Sequence, residues 1–72
     1  MTEFEAERIA THRHYKGGLY RVLGEALHTE TQEMMVVYQH VWPYEQHMYV
    51  RPAAMFYENL ADGTPRFRAL HE

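Results

Sequence analysis

A chain of 72 residues without one cysteine has to hold its fold by packing alone. At this size only about 60% of the unfolded surface is buried on folding, and small domains usually add disulfides or a metal to a core worth about 3 to 5 kcal/mol net. Disulfides are excluded here, so the large apolar and aromatic side chains all have structural duty. The length leaves room for one domain.

The same composition narrows the chemistry. Serine is absent as well as cysteine, while tyrosine and histidine each occur six times. Serine and cysteine are the common activated nucleophiles, and a threonine nucleophile usually has to be the mature N-terminal residue, which Thr2 becomes only if Met1 is removed. The expectation is a binding protein, with no catalytic residue and no cofactor. A cysteine-free chain fits a reducing cytoplasm, and no basic segment followed by an apolar stretch opens it. No run approaches the roughly 20 apolar residues of a membrane span, so a cytoplasmic protein without membrane contact is expected.

A net charge of −3 argues against the broad nucleic-acid affinity of strongly basic domains. The distribution is uneven. Glu3, Glu5 and Glu7 come first, then Arg8, Arg13, Lys16 and Arg21 follow with no acid before Glu25. Arg51, Arg66 and Arg68 are the only later cations. Charge runs usually mark solvated surface, so scattering of these cations is expected over a shared basic face.

Local patterns predict a short helix followed by strands. Thr2 and Glu5, with Phe4 and Ile9, form a capping-box signature for one or two helical turns inside a leader, residues 1–13, and the Gly17–Gly18 pair ends it. A single β domain occupies residues 14–72. Leu19 to Leu23 alternates so that Tyr20 and Val22 face away from Arg21; Met34 to Trp42 places Met34, Val36 and Tyr38 opposite Met35, Val37 and Gln39. Pro43 stops that run. Met48 to Arg51 is a third strand ended by Pro52, which suits the first position of a helical turn over Ala53 to Met55. Phe56 to Leu60 and Pro65 to Leu70 flank Asp62–Gly63, a tight-turn signal that predicts a hairpin. Four or five short strands with one helical turn make a mainly β chain, a small barrel or roll that limits exposed edges.

The series His14, Tyr15, Lys16, Gly17, then Tyr20, Val22 and Gly24, then His28 to Thr31, Val37 and Tyr38, Val50 to Pro52, Met55 and Phe56, and Pro65 to Phe67 resembles a family of short bacterial proteins catalogued as a domain of unknown function. The resemblance runs from His14 to about Phe67. It implies a small SH3-like β-roll and carries no activity, substrate or cofactor. Thr29 stands where serine is common in that family, which keeps the hydroxyl, and Tyr49 stands where tryptophan is common, which keeps an aromatic ring but loses the indole N–H.

Several groups merit a functional reading. His12 and His14 share a face if they lie on a strand and could chelate zinc, with His28, His40 and His47 later; the spacings match no standard zinc site, so no metal is expected. The loop from His28 to Glu33 carries hydroxyls, an imidazole and carboxylates, with His28, Thr29 and Glu30 as its candidate contacts. Its simpler reading is a turn that satisfies its own polar groups, and no oxyanion device or phosphate loop accompanies it. Met34, Met35, Met48 and Met55 read as core filler.

Arg51 and Arg66 suit recognition of carboxylate or phosphate, and salt bridges to Glu25, Glu30 or Glu58 are the plainer alternative. Were both to face one groove with Tyr20, Tyr38 or Tyr49, aromatic platforms would stand beside anion anchors. Tyr15 and Lys16 complete the candidate set. The leading expectation is a noncatalytic interaction module that binds a protein segment through an aromatic groove. The first alternative is a nucleic-acid accessory domain using the basic stretch and the tyrosines, and a small hydrolase or metal-binding protein is the second. A monomer or a weak homodimer is expected.

Overall fold

The computed structural model describes residues 1–43 and 47–71. Helix α1 (Glu3–Ile9) starts where the capping pair places it: the Glu5 amide donates to the Thr2 hydroxyl at 3.1 Å, and the Thr2 amide donates to the Glu5 carboxylate at 2.8 Å. It ends earlier than the glycine pair suggests. Ala10 turns extended directly after Ile9, and strand β1 (His12–His14) then pairs on both sides, with β2 (Leu19–Leu27) and with β5 (Phe67–Ala69). Gly17 and Gly18 instead make the turn between β1 and β2, in which the Gly17 amide donates to the His14 carbonyl and the His14 amide to Gly18, both at 2.8 Å.

Strands β3 (Met34–Trp42) and β4 (Met48–Pro52) complete a five-stranded antiparallel sheet in the order β4-β3-β2-β1-β5. In a flat sheet four strand spacings of about 4.8 Å would hold the outer strands roughly 19 Å apart. The Arg51 guanidinium on β4 nevertheless lies 5.9 Å from the Phe67 ring centroid on β5. The sheet therefore curls over its inner face, and helix α2 (Ala53–Phe56) packs into the curl through Phe56, which has no exposed surface. The result is a small barrel-like β fold with a short N-terminal helix.

Two hydrophobic clusters lie on opposite sides of this sheet. Outside the curl, Ala6 and Ala10 lay the helix against Leu19 and Val41, with Trp42 and Leu70 at the margin. Arg13 ties the helix down from the same side, its guanidinium donating to Glu3 at 2.9 Å and to Glu7 at 2.8 Å. Inside the curl, Val36, Tyr38, Phe56 and Phe67 form the second cluster, joined by Tyr20, Val22 and Ala53. Phe56 and Phe67 stack nearly parallel, with centroids 4.1 Å apart.

Two further local expectations change. Phe56 to Leu60 is not a strand: Phe56 closes α2, and the hairpin before β5 shrinks to one bridge between Asn59 and Pro65 around a turn in which Gly63 has φ 91°. The turn itself stands where Asp62–Gly63 places it, with the Thr64 amide donating to the Asp62 carboxylate at 2.9 Å. The methionines do not fill the core. Met34, Met48 and Met55 are exposed, because stacked aromatic rings occupy the interior. No described helix is long and apolar enough to cross a membrane.

Candidate functional site

Strand register collects the aromatic side chains on the inner face. His14 pairs with Phe67, His12 with Tyr20, Tyr20 with His40 and Tyr38 with Tyr49. Paired residues of neighbouring strands point to the same side, so one face carries all of these rings. The Tyr20 centroid lies 5.6 Å from that of Tyr38 and 5.4 Å from that of Phe67, while Tyr38 lies 5.7 Å from Tyr49. The Tyr20 pairs with Tyr38 and Phe67 meet edge-on and the Tyr38–Tyr49 pair is tilted; edge-on pairs add about 0.5 to 1.5 kcal/mol each to simple burial. Tyr38 and Phe67 form the floor; Tyr20 and His14 are half-buried, and Tyr49 reaches the surface.

Cations gather at the same opening. Arg51 pairs with Val36 in the ladder, which puts it on the inner face beside Tyr49, over Phe67. Burial first, and then the charges of Arg51, Arg66 and Lys16, hold the His14 imidazole below its ordinary range. Burial, followed by Tyr38 and Tyr49, pushes the Tyr20 phenol up, and Arg51 pulls it back down. Arg51, Arg66 and Lys16 thus act on the imidazole, and Tyr38, Tyr49 and Arg51 on the Tyr20 phenol, with Arg51 common to both. Arg66 is partly neutralised by Glu58 at 2.9 Å, whereas Arg51 has no carboxylate partner among the described residues.

A pocket of ≈ 230 Å³ opens beside this mouth and shares His14 and Tyr15 with it; Arg13, Gly17, Thr64, Pro65 and Arg68 complete its lining. Tyr15 is exposed, with the Lys16 ammonium 5.8 Å from its ring centroid. Of the sequence candidates, Tyr20, Tyr38, Tyr49, Arg51 and Arg66 therefore gather near His14, and Tyr15 and Lys16 adjoin them.

His28, Thr29 and Glu30 stand elsewhere, at the tip of the β2–β3 hairpin. Their hydrogen bonds close on the loop itself. The His28 Nδ1 accepts from the amides of Glu30 at 3.1 Å and Thr31 at 3.3 Å, the Thr29 hydroxyl donates to Glu30, and the Gln32 amide donates to the His28 carbonyl at 2.9 Å. Among the described residues no group of three or more His, Asp or Glu is placed to hold a metal ion. His12 lies on the same strand face as His14, but its Nδ1 is engaged with the Thr11 hydroxyl at 2.8 Å and its ring meets Phe56 edge-on.

The basic stretch does not form one face. Arg13 is committed to Glu3 and Glu7, and Arg21 bonds Gln39 at 3.2 Å on the outer side, while Lys16 alone of that run joins the mouth. Sequence reasoning missed two members of the site, His14 as a contact and Phe67 as its floor. The available signal was alternation: once His12–His14 is a strand beside Tyr20, both histidines share its inner face.

The family profile described as Protein of unknown function (DUF1653) matches residues 10–69. Comparison with curated proteins gives no match. The crystal structure of a DUF1653 protein from Bordetella bronchiseptica superposes with a TM-score of 0.68 at 35% identity, covering 85% of this chain and 83% of that one. The match spans every strand of the roll and both sides of its mouth, and the chain belongs to the DUF1653 family of proteins of unknown function.

Proposed function

We propose that the protein is a noncatalytic interaction module that takes a protein segment across the mouth of the roll. The observation that carries this reading is the meeting of Tyr20, Tyr38 and Tyr49 with Arg51 over Phe67, large rigid rings beside a cation that lacks a carboxylate partner among the described residues. Tyrosine and arginine dominate the energetics of protein interfaces because they desolvate a large area at low entropic cost. A chain without serine or cysteine suits such a role better than covalent catalysis. The division of the basic stretch between Glu3, Glu7 and Gln39 weighs against a nucleic-acid face, which needs a continuous run of unpaired cations.

The test is selection of peptides from a displayed random library on the intact, immobilised chain, followed by amide-shift mapping of the selected peptides. Shifts are expected at Tyr20, Tyr49 and Arg51, and Tyr49→Ala is expected to weaken binding about tenfold, roughly 1.4 kcal/mol. Shifts confined to the 28–33 loop or to the exposed methionines would overturn this reading. So would an oligonucleotide that displaces every selected peptide.

A further inference from the structure

We infer that the mouth recognises its segment by an acidic side chain, whose carboxylate seats among Arg51, Lys16 and His14; the inference rests on the interaction-module reading and names the partner's chemistry. The chain as a whole is negative, at −3, yet the groups acting on His14 are all cationic: Arg51 from β4, Arg66 from the segment before β5 and Lys16 from the β1–β2 turn. Glu58 offsets Arg66. Arg51 and Lys16 have no carboxylate partner among the described residues, so two positive charges face the opening uncompensated.

The donor groups present also suit an arriving anion. His14 accepts the Lys16 amide proton on Nδ1 at 3.2 Å, which leaves Nε2 as the nitrogen that carries the hydrogen and can donate. The planar guanidinium of Arg51 offers paired donors that match the two oxygens of a carboxylate. Its position over Phe67 and beside the tyrosines places apolar surface next to the charge, where the stem of a glutamate or aspartate and its neighbours would pack.

A phosphate is the weaker fit. Phosphate sites in loops draw on free backbone amides. Here those of His14, Tyr15, Lys16 and Gly17 are spent on Gly18, Arg66, the His14 ring and the His14 carbonyl. Those four amides are closed to the ligand, which leaves the side chains as its main contacts.

His14 adds a signature that a passive charged patch lacks. In the free protein burial first, and then the charges of Arg51, Arg66 and Lys16, hold its imidazole below its ordinary range, with the rings of Tyr15, Tyr20 and Phe67 packed around it. A carboxylate seated beside it favours the imidazolium, so binding takes up a proton from solvent. Affinity then rises as pH falls through the ordinary histidine value of about 6.5 and levels off once pH is below the depressed value of the free protein, where the imidazole is already protonated before binding.

The experiment compares selected peptides that carry Glu or Asp with the same peptides carrying Gln or Asn, by fluorescence anisotropy at about pH 5.5 and about pH 7.5. The acidic forms are expected to bind about tenfold tighter, and more so at the lower pH. Arg51→Gln should erase the preference, His14→Gln should flatten the pH dependence, and the exposed Lys16→Gln serves if Arg51→Gln fails to fold. Peptides that bind equally well as amides would overturn this inference and leave the interaction module standing. A phosphoserine peptide that binds far tighter than its glutamate counterpart would overturn it too. If no peptide binds at all, both readings fall together.

Discussion

Gly17 and Gly18 are neighbours in one turn but answer to different constraints. Gly17 has φ 105°, a backbone state that a side chain strains, yet a Cβ there would meet nothing within 4 Å. Gly18 has ordinary backbone but close company: a Cβ would stand 3.2 Å from the Tyr20 ring and 3.5 Å from His40 Nε2. Gly17→Ala is therefore expected to cost about 1 to 2 kcal/mol, read as a lower urea midpoint, with the Tyr20 ring resonances unmoved. Gly18→Ala should move those resonances and weaken peptide binding, because the ring edge has to yield. Equal effects of the two on Tyr20 would show that the turn acts as a unit. The inner histidines set a second expectation at this scale. Burial lowers the protonation of His12 and His14 in the fold, so the unfolded chain binds more protons between the depressed values and about 6.5. Their contribution to stability is complete above about pH 6.5 and is lost as pH falls through the depressed values. Urea midpoints should decline from about pH 7 toward pH 5, and less steeply in His14→Gln. A flat profile would mean that neither His12 nor His14 is held below its ordinary range by the fold.

Helix α1 rests on local signals and on a remote one. Its start depends on the reciprocal Thr2 and Glu5 bonds, so Thr2→Ala is expected to cost about 1 kcal/mol and to speed amide exchange in α1 while β2 and β3 stay protected. Exchange that rises equally in the strands would instead make the cap a global determinant. This contrast explains what could be read from the sequence. Capping, the alternation through Met34 to Trp42, the Pro52 stop and the Asp62–Gly63 turn are set by residues within a few positions of one another, and each is where its residues imply. The end of α1 and the extent of β5 depend on pairing between segments over 50 residues apart in the ladder, His12 with Ala69 and His14 with Phe67, which no local window contains. The site follows the same rule. Tyr20, Tyr38, Tyr49, Arg51 and Arg66 were legible as residue types, but the curl that brings Arg51 to Phe67 from the opposite edge of the sheet was not. His28, Thr29 and Glu30 looked equally polar in the sequence, and only the closure of their bonds within the loop separates them from the mouth.

At the scale of the molecule, two small clusters back onto one sheet, and neither is large enough to be stable by itself. They share their strands. Leu19 of the helix-side cluster precedes Tyr20 of the inner one, and Val41 lies next to His40, so loss of either cluster removes the support of the other. Residues 1–13 are tied into this arrangement through Ala6, Ala10 and the Arg13 pairs with Glu3 and Glu7. Unfolding is therefore expected to be a single transition. The chain provides two separate reporters. Trp42, its one tryptophan, packs at the margin of the helix-side cluster, whereas the fixed rings of Tyr20 and Tyr38 dominate the near-ultraviolet dichroism of the inner one. Followed in urea, the two signals should share one midpoint, together with the far-ultraviolet signal of the sheet. A tryptophan transition at lower urea would show that α1 opens as a separate leader from a roll that persists without it. In that case peptide binding at the mouth, on the other face of the sheet, should survive the first transition and vanish only with the second.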